Sequence, residues 1–373
     1  MKVFNLIWGF TLGAGIDKCF LTYDNLSKFD STVEVHSVCI DLSFIKSDLG
    51  ILNKRGIKLI KVKSRTDFSW VGKLYAEIIK VQPDLVFTHG FNGAIMMLIE
   101  LIFKGIKVPL VCSEHGLYFG RTRLKKLFLE PIYNGLMFYT YKNYAKRIIC
   151  VDLGGRRIIK KKGVDSSKIV TVYNGIEENP IYDKIKLSDY GLSNNKITLM
   201  TASALYEIKG LNYLLDAISI VKRETDIPFQ YAMLGAGPDL DMLTNQAAKL
   251  KIDENVFFMG YQENITAWLD VSDIFLLPSL SECHSIALLE AMRAGKAIIA
   301  TNVGGNSESI RNKVDGLLVP SCNSEDLANA ILQMLNDENE RQSFAKSANE
   351  RFKKMFTEKT MLKNLISSLD LEK

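Results

Sequence analysis

Short apolar runs alternate with longer amphipathic stretches along most of the chain. Val3–Trp8, Val33–Ile40, Leu85–Thr88, Val108–Cys112, Ile148–Val151 and Ile169–Tyr173 are continuous enough to be strands buried on both faces. Between them, Trp70–Val81 and Asn92–Phe103 carry apolar residues at helical spacing. Such alternation predicts a parallel sheet covered by helices. The pattern lapses from Glu177 to Asn195, where Pro180, Gly191 and the Asn194-Asn195 pair mark a linker. It resumes with strands over Ile197–Ala202, Gln230–Leu234, Val256–Met259, Ile274–Leu277, Ala297–Ala300 and Leu317–Val319, and with helices over Leu211–Glu224 and Asp239–Leu250. The expected fold class is α/β, with two doubly wound parallel-sheet (Rossmann-like) domains in tandem. Residues 1–180 form the first and 181–355 the second, followed by a C-terminal helix within 356–373 whose packing partner the pattern does not identify.

Composition narrows the setting. A length of 373 residues suits two domains, and 47% hydrophobic with 24% charged residues excludes a disordered chain. The net charge of +5 suits an anionic ligand or an acidic membrane surface without requiring either. Six scattered cysteines form no CxxC, and four dispersed histidines complete no zinc spacing, so a reducing compartment is expected. The first ten residues lack the pattern of a signal peptide, and Ala94–Phe103 is too short to span a bilayer and contains Glu100. A cytoplasmic location is expected.

Candidate chemistry concentrates in Pro278–Met292, which follows a buried strand and opens a helix. Ser285 can cap that helix, whose first-turn amides and partial positive charge suit a diphosphate. Glu282 lies in the loop before it and Glu290 inside it, spaced so that one carboxylate reaches a sugar and the other a ribose. The plain alternative is a capped helix with two solvated glutamates. Asp239-Leu240-Asp241 is read as a helix start after Gly-Pro, not as a metal motif. Gly13-Ala14-Gly15 after the first strand suggests a dinucleotide site, but Lys18 stands where that fingerprint needs its third glycine.

Further blocks follow in order: Ser113-Glu114-His115-Gly116, Val172–Glu177, Ile208-Lys209-Gly210, Leu234–Pro238, Asn255–Gly260, Val303-Gly304-Gly305 and Gly316–Val319. With these blocks the chain resembles, from about residue 5 to 320, the retaining GT-B-fold glycosyltransferases of the large fourth sequence family, the glycosyl transferases group 1. The resemblance implies two domains facing a cleft, an acceptor-side first domain and a nucleotide-sugar-binding second one. It implies transfer of a sugar from a nucleoside-diphosphate sugar, by default a UDP-sugar, to a glycan or lipid-linked glycan in cell-surface polysaccharide or glycolipid synthesis. Configuration would be retained, with no metal and no cofactor.

Residue by residue, Glu290 would hold the ribose, Glu282 would lie by the donor sugar, and Lys209 would neutralise the diphosphate leaving group. Backbone amides of Cys283, His284, Ser285 and Ile286 would meet the sugar or diphosphate. Gly235 and Gly237 either admit the nucleotide or only make a tight turn. In the first domain, Gly13 and Gly15 would approach phosphates or acceptor, and His115 the donor sugar, while His89 is read as structural. Two departures stand out. Ala204 occupies the place of an expected arginine, leaving Lys209 alone or assisted by a cation such as Arg293, and Cys283 replaces an expected glycine.

Residues 117–147 mix Arg121, Arg123, Lys125, Lys126, Lys142, Lys146 and Arg147 with eight aromatics, against the single acid Glu130. Peripheral attachment to an anionic membrane surface is therefore a candidate, the alternative being a helix with a buried aromatic face. No nucleic-acid-binding module is recognisable. A sugar-nucleotide epimerase and a binding protein without catalysis are the remaining rivals.

Overall fold

The computed structural model describes residues 1–10, 15–42, 50–64, 66–116 and 129–369. It divides into two compact units, Met1–Asn174 joined by the C-terminal stretch from Met361, and Gly175–Thr360.

The first unit runs β1 (Lys2–Trp8), α1 (Gly15–Asp24), α2 (Leu26–Phe29), β2 (Glu34–Leu42), α3 (Gly50–Lys54), β3 (Lys58–Val62), α4 (Ser69–Val81), β4 (Leu85–His89), α5 (Gly90–Lys104), β5 (Leu110–Glu114), α6 (Glu130–Asn143), β6 (Ala145–Cys150), α7 (Leu153–Lys161) and β7 (Ile169–Thr171). Every strand pairing is parallel, in the order β3-β2-β1-β4-β5-β6-β7. β4 and β5 are buried at every residue, as their unbroken apolar character requires of a sheet covered on both sides. One face is covered by α4 to α7 through Trp70, Leu74, Met97, Met137, Tyr141 and Ile159, the other by α1 and α3 through Phe20 and Leu52. That division follows from right-handed crossovers: the order reverses at β1, so connections before and after the reversal fall on opposite faces. β3 rises only weakly from the sequence, because Lys58 and Lys61 interrupt it near the sheet edge.

The second unit runs β8 (Ile197–Ala202), α8 (Leu211–Glu224), β9 (Phe229–Leu234), α9 (Leu240–Lys249), β10 (Val256–Gly260), α10 (Ile265–Asp270), β11 (Ile274–Leu277), α11 (Ile286–Arg293), β12 (Ala297–Thr301), α12 (Asn306–Ser309), β13 (Leu317–Val319), α13 (Ser324–Asn336) and α14 (Glu338–Met355). Its six strands are again all parallel, ordered β10-β9-β8-β11-β12-β13. The chain enters and leaves this unit side by side, with Ile176 N–H on the Phe356 carbonyl and a parallel bridge to Thr357. The closing helix α15 (Glu358–Ser368) buries Met361, Leu362 and Leu365, and from Met361 it belongs to the first unit.

The units differ sharply in charge. Up to Asn174 there are 27 basic and 14 acidic residues, whereas Gly175–Thr360 carries 18 basic and 26 acidic ones. Among the described residues, no helix is long and apolar enough to cross a membrane.

Candidate active site

In an open parallel sheet, ligands gather at the carboxyl ends of the strands where the order reverses. In the second unit that point lies between β8 and β11, so the loops after those strands should carry the chemistry. They carry Lys209 and Glu282. A short 3-10 turn over Glu207–Lys209 ends at Gly210, which sits in the left-handed region at φ 62°. A Cβ at Gly210 would lie 2.2 Å from the Pro278 carbonyl oxygen, so glycine alone allows the two loops to touch. Leu280 N–H then donates to the Ile208 carbonyl at 2.8 Å, fastening one loop to the other.

This seam brings together residues 73 positions apart: Lys209 Nζ lies 2.6 Å from Glu282 Oε1, with the two side chains 25% and 11% exposed. Ser279 Oγ, fully buried, donates to the same carboxylate oxygen at 2.8 Å. A half-buried pair with a third hydrogen bond is held in one geometry, and removing one partner strands the other in a poorly solvated site. Thr301 Oγ1 donates to the Ser279 carbonyl at 2.5 Å, tying the loop back to β12.

Gly304 completes the support. Its φ is 49°, and a Cβ there would fall 1.6 Å from the Glu282 carbonyl oxygen. Gly235 and Gly237 serve the neighbouring loop in the same way, since their added Cβ atoms would lie 1.8 Å from the Ser203 carbonyl and 2.2 Å from the Leu205 carbonyl. Both have a packing requirement on the segment that leads to Lys209, whatever else they meet.

Downstream of Glu282, Ser285 is the N-cap of α11, its hydroxyl accepting from Leu288 N–H at 3.4 Å. The first-turn amides of a helix lack intrahelical acceptors, and here they begin three residues after the Lys209–Glu282 pair. Glu290 is half-buried at the fifth position of α11. The His284 side chain is buried against the Phe356 ring at 5.2 Å, and burial pushes its pKa down to about 3, so the ring is neutral. Cys283 is half-buried. Ala204 is exposed. Arg293 ends α11, donating to the Glu177 carbonyl at 3.1 Å and to Thr266 Oγ1 at 2.7 Å. It is thereby tied to α10, away from the α11 N-terminus, and does not replace the arginine expected at 204. Asp239 and Asp241 stand at the start of α9.

In the first unit, His115 follows β5, with Nε2 2.9 Å from Ser113 Oγ. Desolvation lowers its pKa to about 4, so the ring is neutral. The preceding Glu114 is buried; it accepts from Tyr141 Oη at 2.5 Å and from Gly116 N–H at 2.8 Å. Burial outweighs these bonds and raises its pKa to about 7. Gly15 is exposed at the start of α1, while Gly13 and Ala14 lie outside the described residues. Of the basic segment 117–147, residues 117–128 also lie outside them; α6 presents Ile132, Leu136 and Tyr139 to solvent at 58%, 39% and 48% exposure.

The sequence blocks did not disclose the roles of Ser279, Thr301 or Gly304. Ser279 and Gly304 fall inside quoted blocks, but only the folded loops show that both bear on Glu282.

Two tandem parallel-sheet Rossmann-like domains make up the GT-B fold. The HepE protein of Anabaena, solved with UDP-glucose, superposes with a TM-score of 0.80 over 99% of this chain and 100% of that chain, at 20% identity. Family models match in both halves, Glycosyltransferase Family 4 over residues 43–179 and Glycosyl transferases group 1 over residues 184–351. The chain belongs to the group 1 glycosyltransferases. Similar curated proteins include the UDP-Gal:alpha-D-GlcNAc-diphosphoundecaprenol alpha-1,3-galactosyltransferase of Escherichia coli, 28% identical over 76% of this chain and 73% of the relative. Another is the N,N'-diacetylbacillosaminyl-diphospho-undecaprenol alpha-1,3-N-acetylgalactosaminyltransferase of Campylobacter jejuni, 28% identical over 51% of this chain and 48% of the relative.

Proposed function

We propose that this glycosyltransferase moves a sugar from a UDP-sugar to a glycan or lipid-linked glycan acceptor in cell-surface polysaccharide or glycolipid synthesis, retaining anomeric configuration. The observation that carries the reading is the Lys209–Glu282 contact of 2.6 Å at the switch point of the second sheet, three residues before the capped start of α11. A diphosphate there meets an ammonium and a helix N-terminus together. UDP-bound HepE supports the nucleotide, and the diphospho-undecaprenol-linked substrates named for the two bacterial relatives support the acceptor class.

The bond from the sugar's anomeric carbon to the diphosphate oxygen breaks with its electron pair going to the UDP oxygen. The acceptor hydroxyl oxygen bonds to that carbon on the same face, and its proton passes to the departing phosphate. Lys209 stabilises the charge that grows on the diphosphate, the task a metal ion performs in other phosphate chemistry. We therefore assign no metal and no cofactor, the donor being a substrate. Glu290 binds the ribose, Glu282 orients the sugar, and His115, as a neutral imidazole, offers a hydrogen bond to a sugar hydroxyl.

Release of UDP from a panel of UDP-sugars, with and without a diphospho-lipid acceptor, tests this. Turnover that disappears in Glu290→Ala while melting is retained supports the reading; no turnover and no thermal stabilisation by any nucleotide sugar contradicts it.

We also propose that the protein works from the cytoplasmic face of a membrane, docked through residues 117–147 of its basic first unit. High salt weakens contacts between basic residues and phosphate headgroups but leaves apolar insertion largely unaffected. Flotation with anionic but not neutral vesicles, lost at high salt, is the expected result; equal recovery with both vesicle types counts against it.

A further inference from the structure

The first sheet reverses its order between β1 and β4, so its own crevice opens at the carboxyl ends of those strands. His89 is the last residue of β4 and is 1% exposed. Its ring is enclosed by Phe20, Tyr23 and Phe87, with centroids at 5.7, 5.0 and 5.2 Å. On the remaining side it stacks on His115, at 5.8 Å between centroids and 24° between planes.

The hydrogen bonds beneath His89 have only one consistent direction. Asp24 can only accept; it takes the Ser37 hydroxyl at 2.7 Å and an Arg55 guanidinium N–H at 3.4 Å. Ser37 Oγ, having donated its proton, accepts from Asn5 Nδ2 at 3.0 Å, and the same amide group donates to the Phe20 carbonyl at 3.3 Å. Asn5 therefore turns its oxygen toward His89, whose Nε2 lies 2.8 Å away and must carry the hydrogen. The other ring nitrogen, Nδ1, is buried without a hydrogen-bond partner. A phenylalanine would pack here without that unsatisfied atom, so the histidine is explained by what its Nε2–H does.

We propose that His89 is a positioning residue for His115: the chain Arg55–Asp24–Ser37–Asn5 fixes the Nε2–H of His89, and the ring so oriented is the platform that sets the stance of the His115 imidazole. Among the described residues the His115 ring has one hydrogen-bonding neighbour, Ser113, and a single such contact does not by itself set the plane of the ring, which the stacked His89 ring does. Burial and the neighbouring ring hold His89 well below the usual histidine range, so the platform stays neutral. The functional weight of this arrangement rests on the reading of His115 as a donor-side residue.

The 373-residue chain labelled with nitrogen-15 histidine tests it, since within it only His36, His89, His115 and His284 contribute ring signals. In the wild type at pH 7, His89 should appear as the neutral Nε2–H form; an Nδ1–H or charged ring overturns the proposal without any variant. His89→Phe keeps a flat ring but loses the donor, whereas His89→Gln keeps an N–H for Asn5 and a planar amide under the imidazole. His115 ring signals should move in His89→Phe and return toward wild type in His89→Gln. UDP release from UDP-sugars should fall at least tenfold in kcat in the first and recover to within threefold in the second, with donor KM within twofold throughout. Unmoved His115 signals in His89→Phe, or a Gln variant no better than the Phe one, overturns it. Should the wild type turn over no UDP-sugar, the donor reading fails while the ring signals still decide the coupling.

Discussion

The two units share one architecture and divide its chemistry. Each is a doubly wound parallel sheet, and each places its polar residues where the strand order reverses. In the second unit that place holds a charged pair, Lys209 and Glu282, within an acidic unit of 18 cations and 26 anions. In the first, His89 ends β4 at that place and stacks on His115, which follows the neighbouring β5; both imidazoles are neutral, within a basic unit of 27 cations and 14 anions up to Asn174. The lesson is that net charge and site charge are set independently. A lysine concentrates its effect where a leaving group gains charge, whereas a neutral imidazole can hydrogen-bond a sugar without attracting phosphate.

The largest expected effect comes from breaking the charged half. Lys209→Ala should lower kcat/KM for UDP-sugar turnover about a hundred- to a thousandfold, the usual loss when one stabilising donor is removed; steady-state rates check it. Gly304→Ala should come next. Its Cβ would displace the Glu282 loop, because the obstacle is a backbone carbonyl at 1.6 Å, and donor KM and kcat should both worsen by roughly tenfold or more. Gly191→Ala is the control: its φ is also positive, at 76°, but nothing lies within 4 Å, so it should cost only about 1 kcal/mol of stability and leave rates unchanged.

The buried neutral groups of both units should reveal themselves through pH. Glu114 and Glu100 are buried and raised to about 7, so the folded chain holds protons that the unfolded chain has released above its ordinary carboxyl pKa. Their contribution to stability is lost as pH rises toward 7. His89, His115 and His284 are lowered, so the unfolded chain takes up protons first and stability falls as pH drops below the usual histidine value. Together these groups place a stability maximum near neutral or slightly acid pH. Glu114→Gln should flatten the alkaline side by on the order of 2 kcal/mol between pH 5 and pH 8, as chemical denaturation at several pH values would show. An unchanged slope would mean that Glu114 is ionised in the folded protein. The smallest effect is expected for Ser279→Ala, which leaves Glu282 its lysine but removes one hydrogen bond of about 1 kcal/mol; turnover should fall about fivefold.

The fold was legible because apolar continuity and helical spacing are local signals. Leu211–Glu224 reads as a helix from its pattern and is one, and the strand Ile274–Leu277 is equally plain. β3 was not, since edge lysines break its run. In the second unit the chemistry is written within single blocks, so Lys209, Glu282 and the Ser285 cap could be picked out before their loops met. In the first unit it is spread over β1, α1, β2, β4 and β5. Asn5, Asp24, Ser37 and His89 are unremarkable one by one, and only a parallel register that sets Asn5 beside Ser37 makes them a chain. Arg293 shows the converse failure: residue type suggested a phosphate partner, but position in α11 tied it to Thr266 and the Glu177 carbonyl.

Calorimetric binding of UDP and UMP to the wild type and to Lys209→Ala tests the central claim most directly. UDP should bind at least tenfold more tightly than UMP to the wild type, and that advantage should largely vanish in the variant, because the second phosphate is what Lys209 recognises. Equal affinity of the two nucleotides for the wild type, or an undiminished preference for UDP in Lys209→Ala, would contradict it.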